Sequence, residues 1–382
     1  MKKKFLSVGF ALIFTSPLTF SANYAIEARG DAMGGVGVVS GNFLTGPFYN
    51  PALVAIYRRN DDVGMILPSI GLSYNDPNDL VTDLDKVSEI IKRGSESNLG
   101  ELNKSLTAMQ GNVLNAELGG VVAFAIPNQF ISANVFGKAY TESFVSPLID
   151  NTACAESDFS CQLDRAKKSS VNAVSVGVTL AKYQTFLGQH IAFGITPKLQ
   201  RVYTYVYEAS LDSYDIKDLR DNGNGETIFN MDAGALWFYG PIRIGFAANN
   251  LISREIKTKT ITSAVSGNPI SYSYDMKPQY TVGAGIVADY FTLSVDYDLN
   301  EEERYKDFKD NTQMIRVGGE IDIMRQLKLR AGYNKNLAYD NTKGTVTAGI
   351  GLSPLNLFQL DLGASYTNEN AMGAYINFLA SY

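Results

Sequence analysis

Ala374-Tyr375-Ile376-Asn377-Phe378-Leu379-Ala380-Ser381-Tyr382 ends the chain, and its alternation decides the fold. In a strand every second side chain shares a face. Ala374, Ile376, Phe378, Ala380 and Tyr382 therefore lie together on an apolar face, with Gly373, Tyr375, Asn377 and Ser381 opposite, interrupted only by Leu379. A strand with one apolar face for lipid and one polar face for a lumen is the unit of a transmembrane barrel.

The pattern recurs upstream. Phe291, Leu293, Val295, Tyr297 and Leu299 alternate with Thr292, Ser294, Asp296 and Asp298, and Tyr280 to Ala288 and Val174 to Leu180 behave alike. About 14 such segments are long enough for a tilted membrane strand of roughly 9 to 13 residues. They span 62–74, 113–126, 129–142, 171–184, 189–207, 227–239, 241–251, 278–288, 290–300, 312–324, 326–336, 344–353, 355–367 and 371–382. The connections alternate long and short: 75–112 is long, 127–128 short, 143–170 long, 185–188 short, 208–226 long and Gly240 short. Farther on, 252–277 is long, while Asp289, Arg325 and Pro354 each mark a short turn. A soluble sandwich has no reason to keep that rule. A bacterial barrel does, with short periplasmic turns, long extracellular loops and an even strand number. The fold class expected is all-β, a closed antiparallel barrel whose last strand closes against the strand at 62–74.

The other end fits export. Lys2, Lys3 and Lys4 precede an apolar run from Phe5 to Phe14 and small residues at Ser21, Ala22 and Ala25, a secretory signal peptide over residues 1–25. Cleavage after Ala22 and after Ala25 both stay open. The run falls short of the roughly 18 to 20 residues of a spanning helix. The expected organisation is signal peptide 1–25, an N-terminal plug 26–60 and a barrel 61–382. Mean hydropathy near zero, with 22 Tyr, 20 Phe and 34 Gly, suits an apolar outer wall averaged with a polar lumen. A net charge of -6 argues against nucleic-acid binding, which wants a clustered basic face.

Several residue sets bear on chemistry. Asp296, Asp298, Arg316, Glu320, Asp322, Lys328, Arg330 and Asp361 fall on the polar sides of their strands, as do Asp232 and Arg243, so all are expected in the lumen. Near midplane a lipid-facing Arg or Lys would cost about 2–4 kcal/mol. Glu320 is placed to pair with Lys328 or Arg330 on the neighbouring strand. Cys154 and Cys161, in an exported loop with C-x6-C spacing, suggest a disulfide staple, since the spacing fits neither zinc nor a thiol oxidoreductase. Asp221 to Glu226 departs from the calcium-loop spacing and reads as a turn, so no metal or cofactor is expected. His190 lies at a short turn with no serine in a nucleophile context, which argues against an enzyme. Residues 79–93 and 99–109 carry helical periodicity inside the first long loop.

Between signal peptide and first strand lies Glu27-Ala28-Arg29-Gly30-Asp31-Ala32-Met33-Gly34-Gly35-Val36-Gly37, followed by Asn50-Pro51-Ala52-Leu53. It is too Gly-rich for a helix and lacks strand alternation. Such a segment can fold into the lumen as a plug, where small residues permit close packing. A phosphate cradle is excluded because no strand precedes it and no helix follows. On the lumen side, the last strand is expected to look onto Asn50.

These motifs resemble the FadL-type outer-membrane transporters of long-chain fatty acids and other hydrophobic compounds. Arg29, Gly34, Asn50, Pro51 and Ala52 match that superfamily's opening. The branch of conjugal-transfer TraF-like proteins is closer, through Ala28 to Gly35 and Asn50 to Leu53. The resemblance implies the outer membrane of a Gram-negative bacterium, a plug built on Arg29, Gly34, Gly35, Asn50, Pro51, Ala52 and Leu53, and passive uptake of a hydrophobic ligand through an apolar pocket above it. It implies alternatively a non-transporting component of a conjugation or secretion assembly. Phe378 and the terminal Tyr382 are similar to the signal read by the barrel-insertion machinery, so that machinery and outer-membrane lipids are the expected partners.

Overall fold

A computed structural model describes residues 27–57, 63–76, 80, 82, 83, 86, 114–147, 166–186, 189–208, 223–262, 268–305, 311–340, 342–354 and 358–381. Residues 1–25, read above as a signal peptide, Cys154, Cys161, Asp221, Asn222, Tyr382 and the stretch 99–109 with its helical periodicity in sequence lie outside these residues. So does most of 79–93, of which Leu80, Thr82, Asp83 and Lys86 are helical.

Strands β1 (Gly64–Asn75), β2 (Leu114–Ile126), β3 (Ser132–Pro147), β4 (Ala166–Phe186), β5 (Gln189–Glu208), β6 (Gly223–Tyr239) and β7 (Ile242–Asn249) form one half of a barrel. A loop carrying β8 (Arg254–Lys257), β9 (Ile261–Thr262), β10 (Pro269–Ile270) and β11 (Ser273–Met276) leads to the other half. That half is β12 (Gln279–Val287), β13 (Phe291–Asp298), β14 (Met314–Ile323), β15 (Leu327–Asn336), β16 (Thr345–Leu352), β17 (Phe358–Asn368) and β18 (Ala371–Ser381). Every barrel pair is antiparallel, and β18 closes on β1 from Gly64↔Ser381 to Asn75↔Ala371. The sheet has 14 strands. Closure removes every free edge.

The alternation that identified the strands fixes which way they face. On β13, Leu293, Val295 and Tyr297 are exposed while Thr292, Ser294, Asp296 and Asp298 are buried inside. On β18, Met372 and Ile376 are exposed while Tyr375, Asn377 and Leu379 are buried. An exterior of exposed Leu, Ile, Val and aromatic side chains is unfavourable in water and is the outer surface of an outer-membrane barrel. No described helix is long and apolar enough to span a membrane.

The wall is uneven. β4 and β5 have 21 and 20 residues, against 8 in β7, β13 and β16. At about 3.3 Å per residue this is roughly 70 Å of strand against about 27 Å, and the lipid-facing band needs only about 25 Å. The tall strands therefore rise above the membrane on the side of the long loops.

Candidate functional site

The chain enters the barrel as a folded plug. Glu27 caps a single helical turn, α1 (Ala28–Asp31), accepting from Arg29 N and Gly30 N. A second turn, α2 (Gly46–Tyr49), has Pro47 as its second residue, and a 3-10 turn covers Pro51–Ala55. Despite its glycines the segment is thus partly helical, because caps and prolines stabilise turns too short to need propensity. Ala28, Ala32, Met33, Val39, Ala52 and Leu53 are completely buried, or nearly so, against the inner wall.

The seat is a belt of inward-facing glycines. Gly194, Gly234, Gly245, Gly283, Gly318, Gly332, Gly349 and Gly363 come one each from β5, β6, β7, β12, β14, β15, β16 and β17, and all lie against plug atoms. A Cβ on Gly349 would stand 2.5 Å from Ala32 Cβ, and one on Gly363 3.0 Å from Ala28 O. One on Gly318 would fall on the Met33 carbonyl. Without side chains there, the plug backbone approaches the wall directly and its polar groups find partners in it. Thr347 Oγ1 accepts from Gly34 N at 2.7 Å and donates to Ala32 O at 3.0 Å. Asn134 Nδ2 donates to Phe43 O and Leu44 O, and Asp296 Oδ2 accepts from Gly37 N (2.7 Å) and Val38 N (3.0 Å).

Each plug residue singled out in the sequence has a definite place. Arg29 forks onto Glu320, with Nε and Nη2 both at 3.1 Å, and Nη1 donates to Ser40 O at 2.8 Å. Gly34 and Gly35 adopt φ of 75° and 83°, the left-handed region that glycine enters without cost, and turn the chain back beneath α1. Asn50 Nδ2 donates to Val38 O and Ala235 O while Oδ1 accepts from Ala52 N. Pro51 lies over Gly194, with Ala52 and Leu53 buried beyond it. Asn50 therefore sits against β6, not β18. The lumen face of β18 looks instead onto α1: Asn377 Nδ2 donates to Glu27 Oε1 at 2.9 Å, and Tyr375 packs on Ala28. The plug crosses the lumen, so its two motifs reach different walls.

Seven of the eight lumen charges foreseen from β13 to β17 are in ion pairs, and the eighth, Asp296, holds the plug amides. Arg330 donates to Glu320 and Asp361, both at 2.6 Å, so Arg29-Glu320-Arg330-Asp361 is one chain of ions from plug to wall. Arg316 and Asp298 form a bidentate pair at 2.8 Å, and Lys328 meets Asp322 at 3.2 Å. Of the two partners foreseen for Glu320, the structure selects Arg330, with Arg29 of the plug opposite it. Burial holds the Glu27 carboxyl above its ordinary range, helped by nearby Asp361, and holds Asp31 well above it, helped by Glu27. Arg29 is held charged: burial opposes its proton, but Glu320 outweighs that.

Toward the long-loop end of the barrel two adjoining cavities share Phe48 and Asn249. Phe48 stands edge-on to Phe136, 5.4 Å between ring centres, and forms an aromatic floor. The walls are polar, which corrects the expectation of an apolar pocket. One cavity reaches Gln279, Thr281, Asp296 and the Asp298–Arg316 pair; the other reaches Lys138 and the Lys198–Asp232 pair. Above them Ile256, Tyr274, Met276 and Tyr305 pack on Val202 and Ile228 of the tall wall as an apolar lid.

His190 lies in a cluster with Tyr183 and Phe238, each ring stacked on the other two, with Tyr183 OH bonded to Nδ1. Phe378 is stacked on Phe358 at 5.8 Å. Sequence reading missed Glu27 and Asn377 as anchors, and the glycine belt. The belt did leave a signal, one inward glycine on each of eight strands, visible once register is known.

The family described as "F plasmid transfer operon, TraF, protein" matches residues 47–298. No curated protein matches the sequence significantly. Among solved structures, the Ralstonia pickettii toluene transporter TbuX aligns with a TM-score of 0.62 at 11% identity, covering 94% of this chain and 99% of that one. A Pseudomonas aeruginosa FadL homologue aligns at 0.55 and 12%, covering 96% and 99%. The Pseudomonas putida toluene transporter TodX aligns at 0.52 and 11%, covering 96% and 99%. At such identities the likeness is one of fold.

Proposed function

Because the chain belongs to the family of the F plasmid transfer operon TraF protein and folds as a FadL-type barrel, we propose that it is an outer-membrane transporter passing small hydrophobic molecules by diffusion, with residues 27–57 as its gate. The observation that carries this reading is the sealed seat. The plug rests on eight wall glycines and is tied to the wall by one ion chain. The lumen also has an aromatic floor and an apolar lid, surfaces that hold the body of a hydrophobic ligand. Ligand would enter past the lid, settle on Phe48 and leave when the plug shifts. Export by the signal peptide, insertion through the Phe378 and Tyr382 signal and an exterior bathed in outer-membrane lipid belong to the same proposal. A Cys154–Cys161 staple in the extracellular loop does too. We assign no catalysis: the stacking of His190 in one aromatic cluster with Tyr183 and Phe238 supports a packing role. Flux of labelled toluene and of a labelled fatty acid into liposomes carrying the full chain tests the reading. Saturable uptake of either supports it, and rates equal to empty liposomes refute it.

The family's description favours a second reading, a non-transporting component of a conjugation assembly. The tall wall of β3 to β6 offers it an extracellular surface. Plasmid transfer unchanged in a deletion strain would count against it.

A further inference from the structure

The plug's first turn carries an acid without a cation in contact. Asp31 is half-buried, and its one hydrogen-bond donor among the described residues is the Glu27 backbone N–H, 2.9 Å from Oδ2. No ion pair among those residues reaches it. The neighbouring cations are engaged elsewhere. Arg29 forks onto Glu320, Arg330 bridges Glu320 and Asp361, and Arg243 of β7 holds Val39 O. Lys138 of β3 acts on Asp31 only at longer range. Two nearby acids are satisfied by amide donors: Glu27 accepts from Arg29 N, Gly30 N and Asn377 Nδ2, and Asp296 from Gly37 N and Val38 N. Glu117 of β2, which like Asp31 acts on Tyr375, is a further buried acid.

On the reading of residues 1–25 as an exported leader, we infer that the cation for Asp31 is the α-ammonium of the processed chain, cut after Ala25 so that Ile26 comes first. The reach follows from covalent geometry. Consecutive backbone nitrogens stand roughly 2.7–3.6 Å apart, depending on a single ψ angle. Glu27 N already lies 2.9 Å from Asp31 Oδ2, so rotation about one bond brings a nitrogen one residue earlier within ion-pair distance of the same carboxylate. Cleavage after Ala22 would instead leave Asn23, Tyr24 and Ala25 ahead of Ile26, with the ammonium up to about 11 Å farther along the chain. In the unprocessed chain residue 26 offers only an uncharged amide. Removal of the leader therefore adds a charge-assisted contact to the plug. That contact closes the first turn on itself, and so holds Glu27 and Arg29 toward their wall partners Asn377 and Glu320. Seating is then complete only in a chain that has been exported and cut.

Mass spectrometry of the full mature chain purified from outer membranes should find Ile26 as its first residue. The α-amine is then titrated by its rate of acylation with isotope-labelled acetic anhydride, from about pH 6 to about pH 10. An ordinary α-amine has its midpoint at about 7.7–8.0; a carboxylate in contact raises the midpoint, whereas burial alone lowers it. In wild type the midpoint should be raised by about half a unit or more, a roughly threefold slowing below it, and it should return to the ordinary range in Asp31→Asn. Two glycines inserted after Ile26 carry the ammonium away while leaving Asp31 and the cleavage site in place, and should have the same effect if the Asp31→Asn chain fails to fold. A chain cut elsewhere, a wild-type midpoint at or below the ordinary range, or a midpoint unmoved in both variants overturns the inference alone. A purified chain that keeps residues 1–25 overturns the export reading along with it, and none of these results bears on flux.

Discussion

Removing Glu320 should unseat the plug, and more completely than removing Arg29. Glu320 takes Arg29 Nε and Nη2 on one side and Arg330 Nε on the other, with all three side chains nearly buried. In Glu320→Ala, Arg330 keeps Asp361, but Arg29 keeps only the Ser40 carbonyl and becomes a buried charge with no counter-ion in contact. Breaking a buried pair in this way costs about 3–5 kcal/mol. At about 1.4 kcal/mol per factor of ten, the unseated fraction should rise roughly a hundred- to a few-thousandfold. Arg29→Ala leaves Glu320 still paired with Arg330, so only charge-assisted hydrogen bonds worth about 1.5–3 kcal/mol are lost, roughly ten- to a hundredfold. Planar-bilayer recording of open probability reads the difference. The reasoning is refuted if Arg29→Ala opens the barrel as often as Glu320→Ala, or if neither departs from wild type.

Three other substitutions follow from the same geometry. Gly318→Ala places a methyl on the Met33 carbonyl, so it should displace the plug at a cost of about 1–3 kcal/mol, whereas Gly319→Ala, whose nearest neighbour is 3.1 Å away, should leave plug exchange rates unchanged. Asp298→Asn removes the carboxylate that forks Arg316, which is only 2% exposed, and should lower stability by about 3–5 kcal/mol in urea unfolding, while Glu226→Gln at the exposed Arg254 pair should cost about 0–1 kcal/mol. Tyr274→Ala opens a void in the lid, at about 3–5 kcal/mol of local packing, and should speed hydrogen exchange at 254–257 without altering that of β14.

What the sequence shows and hides has a physical pattern. Period-2 alternation located all 14 barrel strands to within a few residues, because each strand must separate lipid from lumen over its own length. The inward direction of Arg316, Glu320 and Arg330 came with it. Which partner Glu320 would take did not, since Lys328 and Arg330 are both on its neighbour; register, Glu320↔Arg330 and Asp322↔Lys328, decides it. The plug was legible as a segment but not as a path. Asn50 reaches β6 and Glu27 reaches β18 because the chain folds back at Gly34 and Gly35, and no local pattern encodes the wall on which a non-repeating segment lands. The chamber's polar walls were hidden for a related reason. Asp232 read as one lumen charge among several and Lys138 and Lys198 carried no mark in the sequence, yet the fold gathers all three beside Phe48.

A plug–wall disulfide tests the gate most directly. A Cβ on Gly363 stands 3.2 Å from Ala32 Cβ, within a few tenths of an ångström of the roughly 3.5–4.5 Å that a disulfide spans, so Ala32→Cys with Gly363→Cys should cross-link the seated plug. With the bond formed, solute flux through the barrel should stop, and a reductant should restore it. Flux that continues at the wild-type rate with the cross-link intact would show that the plug is not the gate.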